Sequence, residues 1–256
     1  MSIERLISKA RRRLLTMHWA SGVGHVGGNL SCIDALVVLH HQVMGPNDAF
    51  VLSKGHSAGA LYVALWSVGL LCDADLDSFH GEGTLLAGHP PAAGIDGVLF
   101  GTGSLGHGLS LAAGLALAAR LAGNARRVFC LTSDAEWQEG STWEALIFAA
   151  HHRLDKLTIM IDANGLQGFG RTADIASMDP IAERLRGFGV SPVEVDGHDP
   201  AAMASALSAP SIGSPPLLVL RTVKGKGVPG FEGLMESHYL PLSEDAYRQA
   251  LDQIAD

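Results

Sequence analysis

Two side chains in this sequence stand where a cation that prefers oxygen ligands could be held. Asp134 follows the apolar run "RVFCL" in "LTSDAEWQEG", and Asn164 follows "KLTIMID" in "IDANGLQGFG". A carboxylate just past the end of a buried strand is costly unless something pairs with it. One helical pattern, "STWEALIFAAHH", separates the two runs, so a βαβ unit would bring Asp134 and Asn164 to the same sheet edge. Oxygen ligands at such an edge suit Mg²⁺ bridging a diphosphate, an ion that keeps only a few protein ligands. The alternative is that Asp134 merely caps the helix after it. Four further segments, "SGVGHVGGNLS", "LSKGHSAG", "LAGHPP" and "FGTGSLGHGLS", place His25, His56, His89 and His107 beside glycines in loops. Glycine lets backbone approach a ligand closely, and histidine supplies donors and proton carriers.

The elements that must position these residues alternate along the chain. "AFVLS", "RVFCLT", "KLTIMID", "PVEVDG" and "PLLVLRT" read as strands; "AGALYVALWSVG", "SLAAGLALAARLA", "STWEALIFAAHH", "DPIAERLRGFG" and "PAAMASALSA" read as helices. Such alternation implies βαβ crossovers and an α/β fold: a doubly wound parallel sheet with helices on both faces. Ligands bind beyond the carboxyl ends of such strands, so the loops after Leu131, Ile161 and Leu220 are expected to line one site. No linker or repeat interrupts the chain, which reads as a single domain over 1–256 with a helical lead-in and a last helix capped by Ser243.

Composition narrows the function classes. With 256 residues, 47% of them hydrophobic, a large core is available without staples. Cys32, Cys72 and Cys130 are odd in number and scattered, which supports neither disulfides nor zinc and fits a reducing, cytoplasmic setting. A net charge of −8 argues against nucleic acid or an anionic membrane surface. The basic cluster "KARRR" falls on an amphipathic helical pattern and reads as its solvated face. "LSLAAGLALAARLAG" is interrupted by Arg120 and too short to span a bilayer, so the expectation is a soluble protein.

Eight strings in order, "SGVGHVGG", "LSKGHSAGALY", "GHP", "GTGSLGHGLS", "SDAEWQEGSTWEA", "IDANGLQ", "VDGHD" and "TVKGKGV", cover nearly the whole chain. Together they resemble the N-terminal, diphosphate-binding half of transketolase, and the length resembles the separately encoded N-terminal subunit of a split transketolase. The resemblance implies thiamine diphosphate and Mg²⁺ as cofactors. Asp134, Asn164 and the carbonyl of Leu166 would hold the metal, and His56 and His238 would reach the diphosphate. Gly103 and Leu105 would line the aminopyrimidine, and Ala135 and Glu139 belong to the same cofactor-binding set. His25, His89 and His238 are the implied catalytic residues, with His25 and His89 facing substrate hydroxyls. Glu139 and Glu144 match residues that cross the subunit interface. Departures from the family pattern are Ser133-Asp134-Ala135 for Gly-Asp-Gly, and His25-Val26-Gly27 for His-Pro-Gly. The segments between His41 and Phe50 and after Gln167 look shortened, and His238 sits in "ESHYL" instead of a Trp-His-Gly context.

The chemistry so implied is transfer of a two-carbon ketol unit from a ketose to an aldose, with histidines of near-neutral pKa carrying protons. The glutamate that activates the aminopyrimidine sits, in this family, on a pyrimidine-binding domain that nothing in this chain resembles. A C-terminal partner subunit carrying that domain is therefore expected, in an α2β2 heterotetramer acting on small sugars or sugar phosphates. Two rivals stand beside this reading: a deoxyxylulose phosphate synthase-like ligase subunit, and a non-catalytic scaffold, which Ser133 and Ala135 make thinkable.

Overall fold

The computed structural model describes residues 1–228 and 230–254. Seven strands form in chain order: β1 Ala49–Leu52, β2 Val128–Ser133, β3 Leu157–Ala163, β4 Leu166–Gln167, β5 Gly170–Arg171, β6 Pro192–Asp196 and β7 Leu217–Arg221. Five of them make a parallel sheet in the order β1-β2-β3-β7-β6, and β4 and β5 pair as a small antiparallel hairpin.

The main strands are apolar throughout because both faces of the sheet are covered. Phe129 and Leu131 of β2 enter one core with helices Ile3–Ser21, Val26–Val38, Ala58–Ser67 and Pro200–Ser208. Val128 and Cys130 enter the other, with helices Gly108–Leu121, Gly140–His151 and Ile181–Arg186. This is the doubly wound α/β arrangement the alternation implied. The chain steps from β1 through β2 to β3, skips a place to β6 and returns to β7, so the order reverses beside β3. A crevice at the carboxyl ends of β3 and β7 follows from that reversal. Ser133 of β2 pairs with Asp162 of β3, and Asp162 with Leu220 of β7, so Asp134, Asn164 and Lys224 all lie just beyond the same edge.

Two expectations change. "SGVGHVGGNLS" is not all loop, because Val26–Val38 is an α-helix whose thirteen residues are all buried. A helix covered on every side shows no amphipathic period, and Gly27 and Gly28 lower its propensity further. The "KARRR" cluster is not a solvated face either. Arg11 is buried and pairs with Asp34 at 2.6 Å, Arg13 holds Asp73 and Asp77, and Lys9 lies over the Trp66 ring. The last helix, Glu244–Gln253, starts as expected, with Ser243 Oγ accepting from Ala246 N at 3.2 Å. Among the described residues, no helix is long and apolar enough to cross a membrane.

Candidate active site

Asp134 follows β2 directly and stands just before a single 3₁₀ turn, Ala135–Gln138. Its Oδ1 accepts from Ala135 N at 2.8 Å, so the capping role is real. Its Oδ2 accepts from Gly165 N at 2.7 Å and Thr172 Oγ1 at 3.3 Å, which ties the end of β2 to the loop after β3. Burial, and then the neighbouring Asp162 charge, push the Asp134 carboxyl up to about 6. Among the described residues, the non-glycine positions with positive φ are His25, His80 and Arg153. Ser133 and Ala135 therefore need no glycine for backbone reasons. Ser133 Oγ accepts from Glu136 N at 3.3 Å, closing the turn.

Beneath Asn164 lies a buried polar network. Asp162 is wholly buried and takes hydrogen bonds from Lys54, from Ser31 Oγ at 2.6 Å, from Thr222 and from Asn164 Nδ2 at 3.1 Å. Burial, the largest single influence, would raise the Asp162 carboxyl, but the Lys54 ammonium together with the Ser31 and Thr222 hydroxyl hydrogen bonds holds it below the usual carboxylate range. Lys54 also donates to the Gly28 carbonyl at 3.0 Å. With Nδ2 so engaged, Asn164 turns its Oδ1 the other way, where it accepts from Leu166 N at 3.1 Å. The Leu166 carbonyl takes a hydrogen bond from Lys224 Nζ at 3.0 Å, whose pKa is pushed down to about 8 by burial and then by Lys54. Lys54, Asp162 and Lys224 lie inside the motifs quoted above, yet sequence reasoning gave them no role. The available signal was the one used for Asp134, a charge at the end of an apolar strand.

Above this floor is a cavity of about 200 Å³. His25, His56, Gly103, Leu105 and Ala135 line it, together with Asp134, Asn164, Leu166 and His238. The structure thus gathers most of the expected residues in one place, from loops after β2, β3 and β7 and from both ends of the chain. The His25 and His238 rings lie 5.1 Å apart, and each is 6.2 Å from His56. His25 takes a left-handed backbone, φ 63°, and its N–H donates to the His238 carbonyl at 3.0 Å. Near-neutral pKa values are not what the site produces. Burial and then Lys224 lower His238 to about 4, burial and then Lys54 hold His56 well below its ordinary value, and burial lowers His25. Each shift favours the neutral imidazole, which acts through one N–H group and one lone pair.

Four expected residues stand apart. His89 is exposed at the rim, close to Gly103, where an added Cβ would lie 2.7 Å from its Cδ2. Glu139 and Glu144 are exposed on the outer surface, Glu139 beside Gly106. His107 stands at the N-terminal boundary of Gly108–Leu121 without a side-chain capping bond, lines a different open surface and does not join the histidine cluster.

This donor set fits a small hard cation with a diphosphate. The oxygens of Asp134, Asn164 and Leu166 are a carboxylate, a carboxamide and a carbonyl; the Leu166 oxygen already faces an ammonium, and the raised Asp134 carboxyl favours a positive neighbour. Gln167 Oε1, also at the cavity, is buried without a partner. No group of three or more His, Cys, Asp or Glu placed to share a metal occurs among the described residues, so a thiolate or polyhistidine centre is not built here.

Fold and site together define a doubly wound α/β protein with a polar cavity at the carboxyl edge of its parallel sheet. Residues 4–254 match the family described as transketolase, thiamine diphosphate binding domain. One of the subunits of the apulose-4-phosphate transketolase of Actinobacillus succinogenes is 34% identical, over 99% of this chain and 96% of that protein. A 6-deoxy-6-sulfo-D-fructose transketolase subunit of a Clostridium species is 36% identical, over 91% of this chain and 89% of that one. Among solved structures, transketolase from Leishmania mexicana superposes with TM-score 0.92 at 28% identity, covering 98% of this chain and 41% of that one. The chain thus spans about two fifths of the length of that solved chain. It belongs to the transketolase family, as a thiamine diphosphate-binding domain.

Proposed function

We propose that this chain is the cofactor-binding subunit of a two-chain transketolase. With a C-terminal subunit carrying the pyrimidine-binding domain, it transfers a two-carbon ketol unit from a ketose to an aldose, on small sugars or sugar phosphates. The observation that carries this reading is a half-built cavity. Among the described residues lining it Asp134 is the only carboxylate, and its volume of about 200 Å³ falls below the roughly 300–1,000 Å³ that encloses a whole small-molecule ligand. The remaining wall and the activating glutamate come from the partner. The names of relatives of nearly the same length as this chain, each called a transketolase subunit, support this.

When bound, thiamine diphosphate supplies the carbon nucleophile and the electron sink, and Mg²⁺ balances the diphosphate charge. Asp134, Asn164 and the Leu166 carbonyl hold the metal, over the Lys54–Asp162 pair that orients Asn164. His56 and His238 hold the diphosphate, and Gly103, Leu105 and Ala135 shape the cofactor groove. His25 and His89 receive the substrate hydroxyls. Glu139 and Glu144 lie on the surface expected to meet another protomer, in an assembly of two copies of each chain. Free Cys32, Cys72 and Cys130 fit a reducing, cytoplasmic setting. The test is ketol transfer from a panel of ketose donors, by this chain with and without the product of a neighbouring gene that encodes the pyrimidine domain. Activity is expected from the pair alone, and robust turnover by the isolated chain would sink the two-chain reading.

A further inference from the structure

The strings "VDGHD" and "TVKGKGV" meet away from the cavity lining, at His198. The ladder between β7 and β3 ends with Thr222 N donating to the Ala163 carbonyl at 3.4 Å. The next N–H, on Val223, donates instead to His198 Nε2 at 3.0 Å. A backbone N–H has no lone pair, so this contact uses the one on Nε2, and the proton of the neutral ring sits on Nδ1. Nδ1 lies 2.9 Å from Asp34 Oδ2 and donates to it. Asp34, on helix Val26–Val38, is buried and held at both oxygens by Arg11, at 2.8 and 2.6 Å. Arg11 also donates to the Lys226 carbonyl, and Gly225 N donates to the Gly27 carbonyl at 3.0 Å. We propose that His198 is a positioning residue: oriented by Asp34, its Nε2 lone pair takes over where the sheet ladder ends and fixes residues 222–228, the segment that carries the cavity wall at Lys224.

The turn around His198 is shaped for this contact. Asp196 Oδ1 accepts from His198 N at 2.9 Å, Gly197 N donates to the Arg221 carbonyl at 2.8 Å, and Asp199 Oδ1 caps helix Pro200–Ser208. A Cβ on Gly197 would lie 2.3 Å from Thr222 Cγ2, so glycine lets the turn close on the end of β7. Arg11 by itself balances the Asp34 charge; what His198 adds is the acceptor for Val223. Without it that N–H would lack a partner, and a segment with no strand or helix of its own would lose one of the three contacts that place it. The consequence for the cofactor rests on reading the cavity as a thiamine diphosphate site, whereas the anchor does not.

Two variants separate the two contacts of the ring. A glutamine amide reaches as far as Nε2 and offers an oxygen to Val223; an asparagine amide ends at the place of Nδ1, where it can donate to Asp34 but cannot reach Val223. In ¹⁵N NMR of the full chain labelled at histidine, with the His198 signals identified by their loss in His198→Asn, the wild type is expected to show a protonated Nδ1 and an unprotonated Nε2. Hydrogen exchange at the Val223 amide should be about tenfold faster in His198→Asn and near wild type in His198→Gln, with the amides of β6 and β7 unchanged in both. Thiamine diphosphate with Mg²⁺ should bind the two-chain complex about tenfold more weakly in His198→Asn, the scale of one hydrogen bond, and His198→Gln should restore it. A protonated Nε2 in the wild type overturns the assignment, and that spectrum decides alone if neither variant folds. Unchanged exchange at Val223 in a folded His198→Asn, equal losses in the two variants, or an unchanged cofactor affinity beside faster exchange overturns the positioning role. The expected exchange pattern with no thiamine diphosphate binding by the wild-type complex would overturn the cofactor reading and leave the His198 anchor standing.

Discussion

His18 is wholly buried, and burial pushes its pKa down to about 4 from an ordinary 6.5, against weaker opposing contacts with the Val23 and Gly24 backbone. Between those values the folded state binds fewer protons than the unfolded one, so stability rises with pH there. Its contribution is fully present above pH 6.5 and is lost as pH falls toward 4, at no more than about 1.4 kcal/mol per pH unit. His18→Leu should flatten the dependence of unfolding free energy on pH by about that amount across this window. Denaturant titrations at pH 7, 6 and 5 check it, and equal slopes in both proteins would show that His18 is not held neutral. At the same scale, Ser133-Asp134-Ala135 shows why a glycine-free turn works. Every φ there lies outside the left-handed region, and Ser133 Oγ replaces open space with a hydrogen bond to the Glu136 N–H.

Helix Val26–Val38 and the segment around Glu236–Tyr239 close on each other at two glycines. A Cβ on Gly27 would lie 2.2 Å from Ser237 Oγ and 3.0 Å from the Ser237 carbonyl, and one on Gly24 would lie 2.3 Å from the Tyr239 carbonyl. In a helix interior alanine is worth about 1 kcal/mol over glycine. Overpacking a close contact costs about 1–3 kcal/mol, and here the new Cβ would also lie 2.6 Å from the buried Ser237 Cβ, so the clash decides the sign. Gly27→Ala should therefore destabilise the chain and weaken thiamine diphosphate binding, because His238 rides on the displaced segment. Gly114→Ala, exposed on its helix with nothing within 4 Å, should instead stabilise by about 0.5–1 kcal/mol. Chemical denaturation and calorimetric titration of both variants test the pair. An unaffected cofactor affinity in Gly27→Ala would mean that this contact does not position the site.

Over the whole molecule, the two-chain reading proposed above makes cofactor binding and assembly one equilibrium. A ligand at about one hundred times its Kd stabilises the protein that binds it by about 2.7 kcal/mol. Thiamine diphosphate with Mg²⁺ should raise the thermal midpoint of the two-chain complex clearly and that of the isolated chain far less. Asp134→Ala should abolish the shift in both. Differential scanning of the four combinations reads this directly, and an equal shift in the isolated chain would show that one chain holds the whole site.

The order of strands and helices was legible in the sequence because each element leaves a local mark, in apolar runs, turn residues and the Ser243 cap. Asp134 and Asn164 were legible because a polar residue past such a run has few places to go. The pairing of Lys54 with Asp162, 108 residues away, was not, nor was the contact between Lys224 and His238. Local periodicity cannot report contacts between residues so far apart. Helix Val26–Val38 escaped for a related reason, since the neighbours that bury it on every side erase the amphipathic pattern. The depressed histidine pKa values belong to the same class. The residue type sets the ordinary value, but burial beside Lys54 and Lys224 exists only once the sheet has brought its carboxyl edge together.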